Sequence, residues 1–180
     1  MFVAVAVAWA GCGQTLDVGR DKSHGQLPVD ERNPVIISND GWSNNWAGEY
    51  AVLFANYGGP PLVGIVINAS AYWTDLNANV TGWNKFVDAA RLSGLTQVPD
   101  VTISAGNTLT APTDHVIEHT APNNSLGAQL IVDVSRHLSL PWRPVVVVAG
   151  SQLTDLADAY LIDPTVVDRV VVVASLGQAE

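Results

Sequence analysis

Residues 34–47 of this chain read Pro-Val-Ile-Ile-Ser-Asn-Asp-Gly-Trp-Ser-Asn-Asn-Trp-Ala. The segment passes from an apolar, β-branched run into a short polar loop, and the loop leads directly into a sequence with helical spacing. In open α/β sheets, ligands bind outside the carboxyl ends of the strands. The segment therefore predicts an α/β fold with a site in this loop, where Asp40 is the only carboxylate.

The rest of the chain repeats this alternation of apolar strands and helical segments. Runs rich in Val and Ile predict strands at 35–37, 62–67, 101–103, 144–148 and 169–174. Helical spacing is found between them, at 46–57, 74–95, 125–137 and 153–161. Nearly continuous Val and Ile strands are typical of parallel sheets covered on both faces. The predicted fold is α/β: an open, mostly parallel, Rossmann-like sheet with helices on both faces.

Composition restricts the classes of function. The chain has 180 residues, of which 48% are hydrophobic, so it is long enough for one domain with a substantial core. Its formal net charge is -9, with eight basic and 17 acidic residues. Nucleic-acid binding depends on clusters of Lys and Arg. The acidic balance therefore argues against a nucleic-acid partner.

The amino-terminal residues predict export. Residues 2–10 form an apolar run too short to span a bilayer, and Gly11-Cys12 follows. This pattern is typical of a signal peptide at 1–12, and it also suits a bacterial lipoprotein whose lipid anchor is attached to Cys12. Residues 13–32 have the composition of a flexible tether, and the domain then covers 33–180. The predicted location is exported, either periplasmic or membrane-anchored in a bacterium; an apolar β-strand is the alternative interpretation of 2–10.

Several segments together resemble a known family. Residues 36–47 are similar to the D-x-D-P-G-x-D-D-A loop of inosine-uridine-type nucleoside hydrolases. Residues 98–106 resemble the V-P-V-x-x-G segment of that family, and 145–170 resemble its strand, its G-P-L-T-N-L-A helix and its D-P-x-x-x-x-R-V continuation. The resemblance covers about residues 33–177 in the order found in the family. It implies the family's α/β fold and hydrolysis of the N-glycosidic bond of a ribonucleoside or related glycoside.

The resemblance also implies roles for particular residues. Asp40 occupies the position of a calcium ligand that also serves as general base, and Asn45 that of the bidentate calcium ligand. Asn44 takes the position that contacts the ribose, and Ser38 that of a supporting carboxylate. A backbone carbonyl near Gly150 would be a further calcium ligand. The implied cofactor is Ca²⁺, and the implied partner is a small-molecule nucleoside or sugar.

Departures from the family pattern weaken the predicted metal site. Three of the four loop carboxylates are replaced by neutral side chains, which leaves Asp40 as the only formal charge. Because calcium affinity follows the charge count of the ligands, we expect Ca²⁺ binding to be weak or lost. We expect the family's later acidic ligand and leaving-group histidine to have no counterpart within residues 33–180. A catalytically inactive nucleoside- or sugar-binding relative, or a truncated copy without function, are therefore alternatives to an active enzyme.

The tryptophans and amides of the loop allow two interpretations. Trp42 and Trp46 flank the Asn pair, and a large, stiff aromatic ring suits contact with a base or a sugar. They are also four residues apart, so they can share a helix face that packs into the core. Asp40, Asn44 and Asn45 can likewise act as helix caps. Trp73 and Trp83 are expected to be packing residues.

Residues 115–119 match a zinc-binding motif, but the sequence around them does not predict the helix that the motif needs. His115-Val-Ile-Glu-His119 matches the H-x-x-E-H zinc pattern, which requires both imidazoles on one helix. The surrounding Thr, Asn and Pro residues instead predict a solvated loop. We therefore expect no zinc site there.

Overall fold

The computed structural model describes residues 29–41, 52–104 and 109–174. These residues form one five-stranded sheet with the strand order β3-β2-β1-β4-β5. All four strand pairs are parallel. The strands are β1 (Val35–Asn39), β2 (Leu62–Ile67), β3 (Val101–Ile103), β4 (Val145–Ala149) and β5 (Val170–Ala174). The predicted α/β class is confirmed: the fold is an open, Rossmann-like sheet with helices.

Helices connect the strands, and two of them begin at a polar side-chain cap. They are α1 (Leu76–Leu92), α2 (Leu126–Leu138) and α3 (Thr154–Ile162), with 3-10 turns at Ile117–His119 and Pro164–Asp168. Residues 52–56 are also helical. Asp75 caps α1 by accepting a hydrogen bond from the Ala78 N–H at 3.0 Å, and Ser125 caps α2 by accepting one from the Ala128 N–H at 3.2 Å.

The boundaries differ from the sequence predictions at a few places, each with a local cause. β1 extends two residues beyond the predicted strand, to Asn39, because Ser38 still pairs with Val66 of β2 and with Ala149 of β4. α1 begins at Leu76 because Asp75 caps it, and it ends at Leu92 before the Ser93-Gly94 turn. The predicted start of the helix at 46–57 lies outside the described residues.

The strand order creates a topological switch point between β1 and β4. From β1 the chain adds β2 and then β3 on one side; it then returns across the sheet to place β4 on the other side of β1. Crevices at such points lie outside the carboxyl ends of the two strands and are the usual ligand sites of open α/β sheets. In this chain those two carboxyl ends are Asn39 and Ala149.

The two faces of the sheet bury separate cores. On one face, Ile37, Ile65 and Ile67 pack with Trp83 and Val87 of α1. On the other face, β1, β2 and β4 pack with α2 and α3 through Ile36, Val66, Val145, Val147, Ala128, Ile131 and Ala159. The apolar strands are thus covered from both sides, as their composition predicts.

The amino-terminal turn of α2 lies unusually close to β2. A Cβ placed on Gly127 would be 2.5 Å from Cγ1 of Val66 and 2.7 Å from Oδ1 of Asp155. No side chain fits at this point without displacing its neighbours. Glycine at 127 therefore lets the helix end approach the edge of the sheet where the polar residues collect.

Most of the residues that carry the membrane and export predictions lie outside the described ranges. Among the helices in the described ranges, none has the length and apolar character that a bilayer span requires. The predicted signal at 1–12, with Cys12, and residues 13–28 of the predicted tether lie outside the described residues.

Candidate functional site

Polar side chains lie at the carboxyl ends of four neighbouring strands. Buried serine and asparagine residues end or follow these strands: Ser38 and Asn39 for β1, Asn68 for β2, Ser104 for β3 and Ser151 for β4. Backbone hydrogen bonds extend the ladder past the strand ends, from Gly150 N–H to Ser38 O at 2.9 Å and from Asn68 N–H to Asn39 O at 2.8 Å. Because the strands are parallel, these residues meet at one edge of the sheet.

A carboxylate from α3 lies beneath this edge. Asp155 is 1% exposed. Its Oδ1 accepts a hydrogen bond from the Ser104 hydroxyl at 2.6 Å, and its Oδ2 accepts one from Asn68 Nδ2 at 3.2 Å. The Ser125 hydroxyl lies 3.2 Å from Oδ1. A single buried carboxylate thus joins the ends of β2 and β3 to the start of α2.

Asn68 extends the same network across the switch point. Its Nδ2 also donates to the Ser38 hydroxyl at 3.3 Å, and its Oδ1 accepts from the Ser151 hydroxyl at 2.7 Å. Nδ2 has two acceptors and Oδ1 has a donor, so these partners determine the orientation of the Asn68 amide group. The segments that follow β2 and β4 are therefore tied to the end of β1 through one side chain.

A second buried carboxylate, Asp158, secures the loop that enters α2. It accepts hydrogen bonds from the backbone N–H groups of Asn123 at 2.7 Å, Asn124 at 3.2 Å and Ser125 at 2.8 Å. The Ser125 hydroxyl adds a fourth contact at 2.7 Å. A carboxylate before a helix amino terminus also interacts favourably with the helix dipole. These contacts indicate that Asp158 has a structural role, which is to hold the loop in place.

Asp40 lies at the carboxyl end of β1, beside the switch point. It directly follows β1 and is half-buried. Within the described ranges, its hydrogen bonding consists of the backbone N–H donated to Asn39 Oδ1 at 2.9 Å. Gly150, across the switch point, is the residue whose N–H bonds to Ser38. The structure thus brings Asp40 and Gly150 to the two strand ends at the switch point, whereas Trp42, Asn44 and Asn45 lie outside the described residues.

Gly41, which follows Asp40, contacts two tryptophans, Trp73 and Trp83. It has φ +50, a left-handed conformation that favours glycine, and its carbonyl accepts a hydrogen bond from Trp83 Nε1. Indole atoms of Trp73 lie 3.1–3.2 Å from the position that a Cβ on Gly41 would occupy. The expectation of a packing role is confirmed for Trp83, which is 1% exposed. Trp73 packs its indole against Gly41 but keeps 37% of its surface exposed.

The described part of the expected calcium set supplies few donors. Asp40 contributes one carboxylate and Gly150 one carbonyl, while the hydroxyl of Ser38 is engaged by Asn68. Calcium takes 6–8 oxygen ligands, with affinity that follows ligand charge. The searched ranges 29–41, 52–104 and 109–174 hold no group of three or more His, Cys, Asp or Glu side chains arranged for a metal. These residues alone do not meet the needs of Ca²⁺, so no catalytic step is assigned to the ion.

The H-x-x-E-H segment lies in an exposed loop, as its composition predicts. Only residues 117–119 form a helical turn, of the 3-10 type, and His115 has φ 59. Nδ1 of His119 lies 2.5 Å from Oδ2 of Asp114. This hydrogen bond holds the pKa of Asp114 below its ordinary value. The two histidines are therefore not presented from one helix.

Comparisons with known proteins add no assignment. No family model, no curated protein and no solved structure matches the chain. The candidate site consequently stands on the geometry described above and on the sequence resemblance.

Proposed function

We propose that this protein hydrolyses the N-glycosidic bond of a ribonucleoside or a related glycoside, with Asp40 as the general base. The observation that carries the proposal is the place of Asp40, directly after β1 at the switch point between β1 and β4. Ligands of open α/β sheets bind at this place. The resemblance of residues 36–47 to the nucleoside hydrolase loop supplies the reaction class.

The buried carboxylates of the same edge support the choice of Asp40. Asp155 and Asp158 are 1% and 0% exposed, and their oxygens are engaged by serine hydroxyls, an asparagine amide and backbone N–H groups. These hydrogen bonds indicate that both carboxylates hold together the edge of the sheet and do not contact a ligand. Asp40 is half-buried, so part of this residue remains exposed to water and to a ligand.

The proposed reaction needs one water and one proton acceptor. Water attacks the anomeric carbon, the bond from that carbon to the base nitrogen breaks, and the base leaves with the bonding electron pair. Asp40 takes a proton from the attacking water and then releases it to solvent, and the departing base takes up one proton from solvent. Free sugar and free base are the products, and Asp40 is again a carboxylate. The transition state resembles an oxocarbenium ion, as in other glycoside hydrolysis. A positioned general base contributes about 10²–10⁴-fold to such a step.

A binding protein without turnover is the second candidate. It is favoured by the composition of the loop, where Asp40 is the only carboxylate in residues 34–47 and the other polar side chains are neutral hydroxyl and amide groups. Such groups suit hydrogen bonding to sugar hydroxyls but do not activate water by themselves. The ligand in this case would be the same nucleoside or sugar, held without hydrolysis.

One experiment separates the two candidates. The full chain is incubated with adenosine, inosine, uridine and cytidine, free base is detected by chromatography, and binding is measured in parallel by calorimetry. Hydrolysis predicts base release by the wild type that Asp40→Asn abolishes and that Asp88→Asn preserves, since Asp88 is an exposed residue of α1. Heat of binding without release of base supports the binding protein. If no riboside is bound or cleaved, both candidates are wrong.

A further inference from the structure

We infer that two copies of this chain associate through an apolar face on residues 52–57 and the carboxyl-terminal half of α1. The face consists of Leu53, Phe54 and Tyr57, of Leu92 on α1, and of the groove that separates the two helical segments. Both segments lead to the start of a strand, β2 or β3, so the face lies near the edge of the sheet opposite Asp40. It is therefore separate from the candidate site, which a second copy would leave accessible.

The groove between the two helical segments is open and apolar. It has a volume of about 330 Å³ and is lined by Val52, Leu53, Phe86, Ala89, Ala90, Ser93 and Leu95. Asn56 fixes its width: Nδ2 donates to the Gln97 carbonyl at 3.3 Å, and Oδ1 accepts from the Gln97 N–H at 2.8 Å. The residues that follow α1 are thus tied to the helical residues 52–56. A surface that is already shaped in this way loses little entropy when a partner binds.

Large apolar side chains project beside this groove. The exposed fraction is 44% for Leu53, 59% for Phe54, 79% for Tyr57 and 90% for Leu92. Tyr57 is three residues from Phe54 and four from Leu53, a spacing that makes side chains neighbours on a helical turn. Leu92 is likewise three residues from Ala89, which lines the groove. The side chains and the groove therefore form one patch, and contiguous apolar patches of a few hundred Å² mark interaction sites.

The area of the patch suits a protein dimer. An aromatic side chain buries about 150–250 Å², so the exposed parts of Phe54 and Tyr57 amount to roughly 200–350 Å². Leu53 and Leu92 add to this area. A standard interface of about 800 Å² per partner, of which somewhat more than half is apolar, needs roughly 450 Å² of apolar surface. The four side chains supply most of that requirement.

The charges on α1 favour a second copy as the partner. Lys85, Asp88, Ala89 and Leu92 have the spacing of one helical stripe, and the lysine and the aspartate are both exposed. The net charge of -9 makes contact between most surfaces of two copies repulsive, whereas this stripe carries one charge of each sign. A two-fold axis that crosses α1 between these residues would place Lys85 of each copy beside Asp88 of its partner. Two-fold interfaces form every such contact twice.

The test measures the mass of the full chain in solution by sedimentation equilibrium. Protein concentrations extend to about 100 μM, above the roughly micromolar dissociation constant of a weak interface of standard size. Reducing conditions prevent a disulfide bond between the Cys12 residues of two copies. The variants are Leu92→Glu and, as the matched control, Ile117→Glu, because Ile117 is 75% exposed but lies in the loop before α2. Circular dichroism establishes that both variants remain folded.

We expect the wild type and Ile117→Glu to reach twice the monomer mass. Leu92→Glu should raise the dissociation constant of the dimer at least about tenfold, because a carboxylate buried without a partner is costly. A wild type that stays monomeric would overturn the inference and leave the face to a different partner. Equal dimerisation of Leu92→Glu, or a mass that keeps increasing beyond the dimer, would also overturn it.

Charge reversal tests the two-fold arrangement directly. Lys85→Asp and Asp88→Lys should each weaken the dimer, because each places like charges side by side at both copies of the contact. The combination of the two substitutions restores opposite charges and should recover most of the wild-type affinity. Single reversals without effect, or a double variant weaker than both single variants, would contradict the proposed pairing.

Discussion

Oδ2 of Asp155 lies 3.2 Å from Nδ2 of Asn68, and this hydrogen bond joins the first turn of α3 to the end of β2 beneath the candidate site. Asn68 in turn contacts Ser38 and Ser151, which lie on the two sides of the switch point. The rigid edge that supports Asp40 thus depends on one buried carboxylate. Accurate placement of reacting groups requires such support.

Removing that carboxylate is expected to destabilise the fold. Asp155→Ala takes away one of the two acceptors of Asn68 Nδ2 and an acceptor of the Ser104 hydroxyl. Each buried polar group left without its partner costs about 1–3 kcal/mol. Urea unfolding should show a loss of this size or larger, whereas Asp133→Ala, an exposed site on α2, should change the free energy of unfolding by less than about 0.5 kcal/mol. Equal stability of the two variants would show that the network contributes nothing.

Gly127 should not tolerate a methyl group although it lies in a helix. Alanine normally stabilises a helix relative to glycine by about 1 kcal/mol. Here its Cβ would be 2.5 Å from Cγ1 of Val66. Overpacking of this kind costs about 1–3 kcal/mol, so we expect a net loss of stability in Gly127→Ala.

A double-mutant cycle with Val66→Ala identifies the cause of that loss. Val66→Ala removes the methyl group that the new Cβ would approach, so the cost of Gly127→Ala should be smaller in the Val66→Ala background. The free energies of unfolding of the four proteins provide the measurement. A cost that is the same in both backgrounds would place the clash elsewhere.

Asp163 should make stability depend on acid pH. It accepts hydrogen bonds from Thr165 Oγ1 at 2.6 Å and from Arg169 Nη2 at 2.6 Å, with Arg136 as a further partner. The Thr165 hydroxyl first, and then the Arg169 guanidinium, hold the pKa of Asp163 well below its ordinary value of 3.8. A lowered folded-state pKa stabilises the protein above the ordinary value, and the stabilisation is lost as pH falls toward the folded-state pKa.

The pH dependence can be assigned to Asp163 by substitution. Between pH 7 and about pH 5 the contribution is constant, and below about pH 4 it decreases. Asp163→Asn should be less stable than wild type at pH 7, and the difference should shrink at about pH 3. Unfolding curves at these pH values, with Asp133→Asn as the exposed control, provide the measurement. A difference that stays constant or grows as the pH falls would contradict the linkage.

Calcium should stabilise the protein only slightly. One carboxylate near the ion predicts a dissociation constant of roughly 1 mM. At 1 mM Ca²⁺ the expected gain is about 0.4 kcal/mol, which raises the Tm by no more than about 2 °C. Thermal unfolding with Ca²⁺, with Mg²⁺ and with neither ion measures this gain. A rise of about 5 °C or more that Asp40→Asn removes would reveal a tight calcium site.

Much of the fold can be predicted from the sequence because its strands are nearly pure Val and Ile. β2 and β3 agree with the predicted ranges, and each end of α2 lies within one residue of its predicted position. The strand order could not be predicted, because it depends on where the connection from β3 to β4 crosses the sheet. The place of Asp40 at a strand end followed directly from its sequence position after a β-branched run.

The sequence does not predict the hydrogen-bond network of Asn68, Asp155 and Ser104. Its members are distant in sequence, and none of them belongs to a recognisable motif. Asn68 and Asp155 are 87 residues apart and meet only when α3 folds back onto the strand ends. Their positions in the sequence could have indicated two of these residues, because Asn68 and Ser104 each directly follow a predicted strand.

The most direct test of the central claim is the rate of base release from a saturating riboside by wild type and by Asp40→Asn, with matched circular dichroism spectra. We expect kcat to fall by about 10²–10⁴-fold in Asp40→Asn, the range for loss of a general base, while Asp88→Asn stays at the wild-type rate. Wild-type turnover that Asp40→Asn retains within about twofold would contradict the assignment of Asp40 as the base.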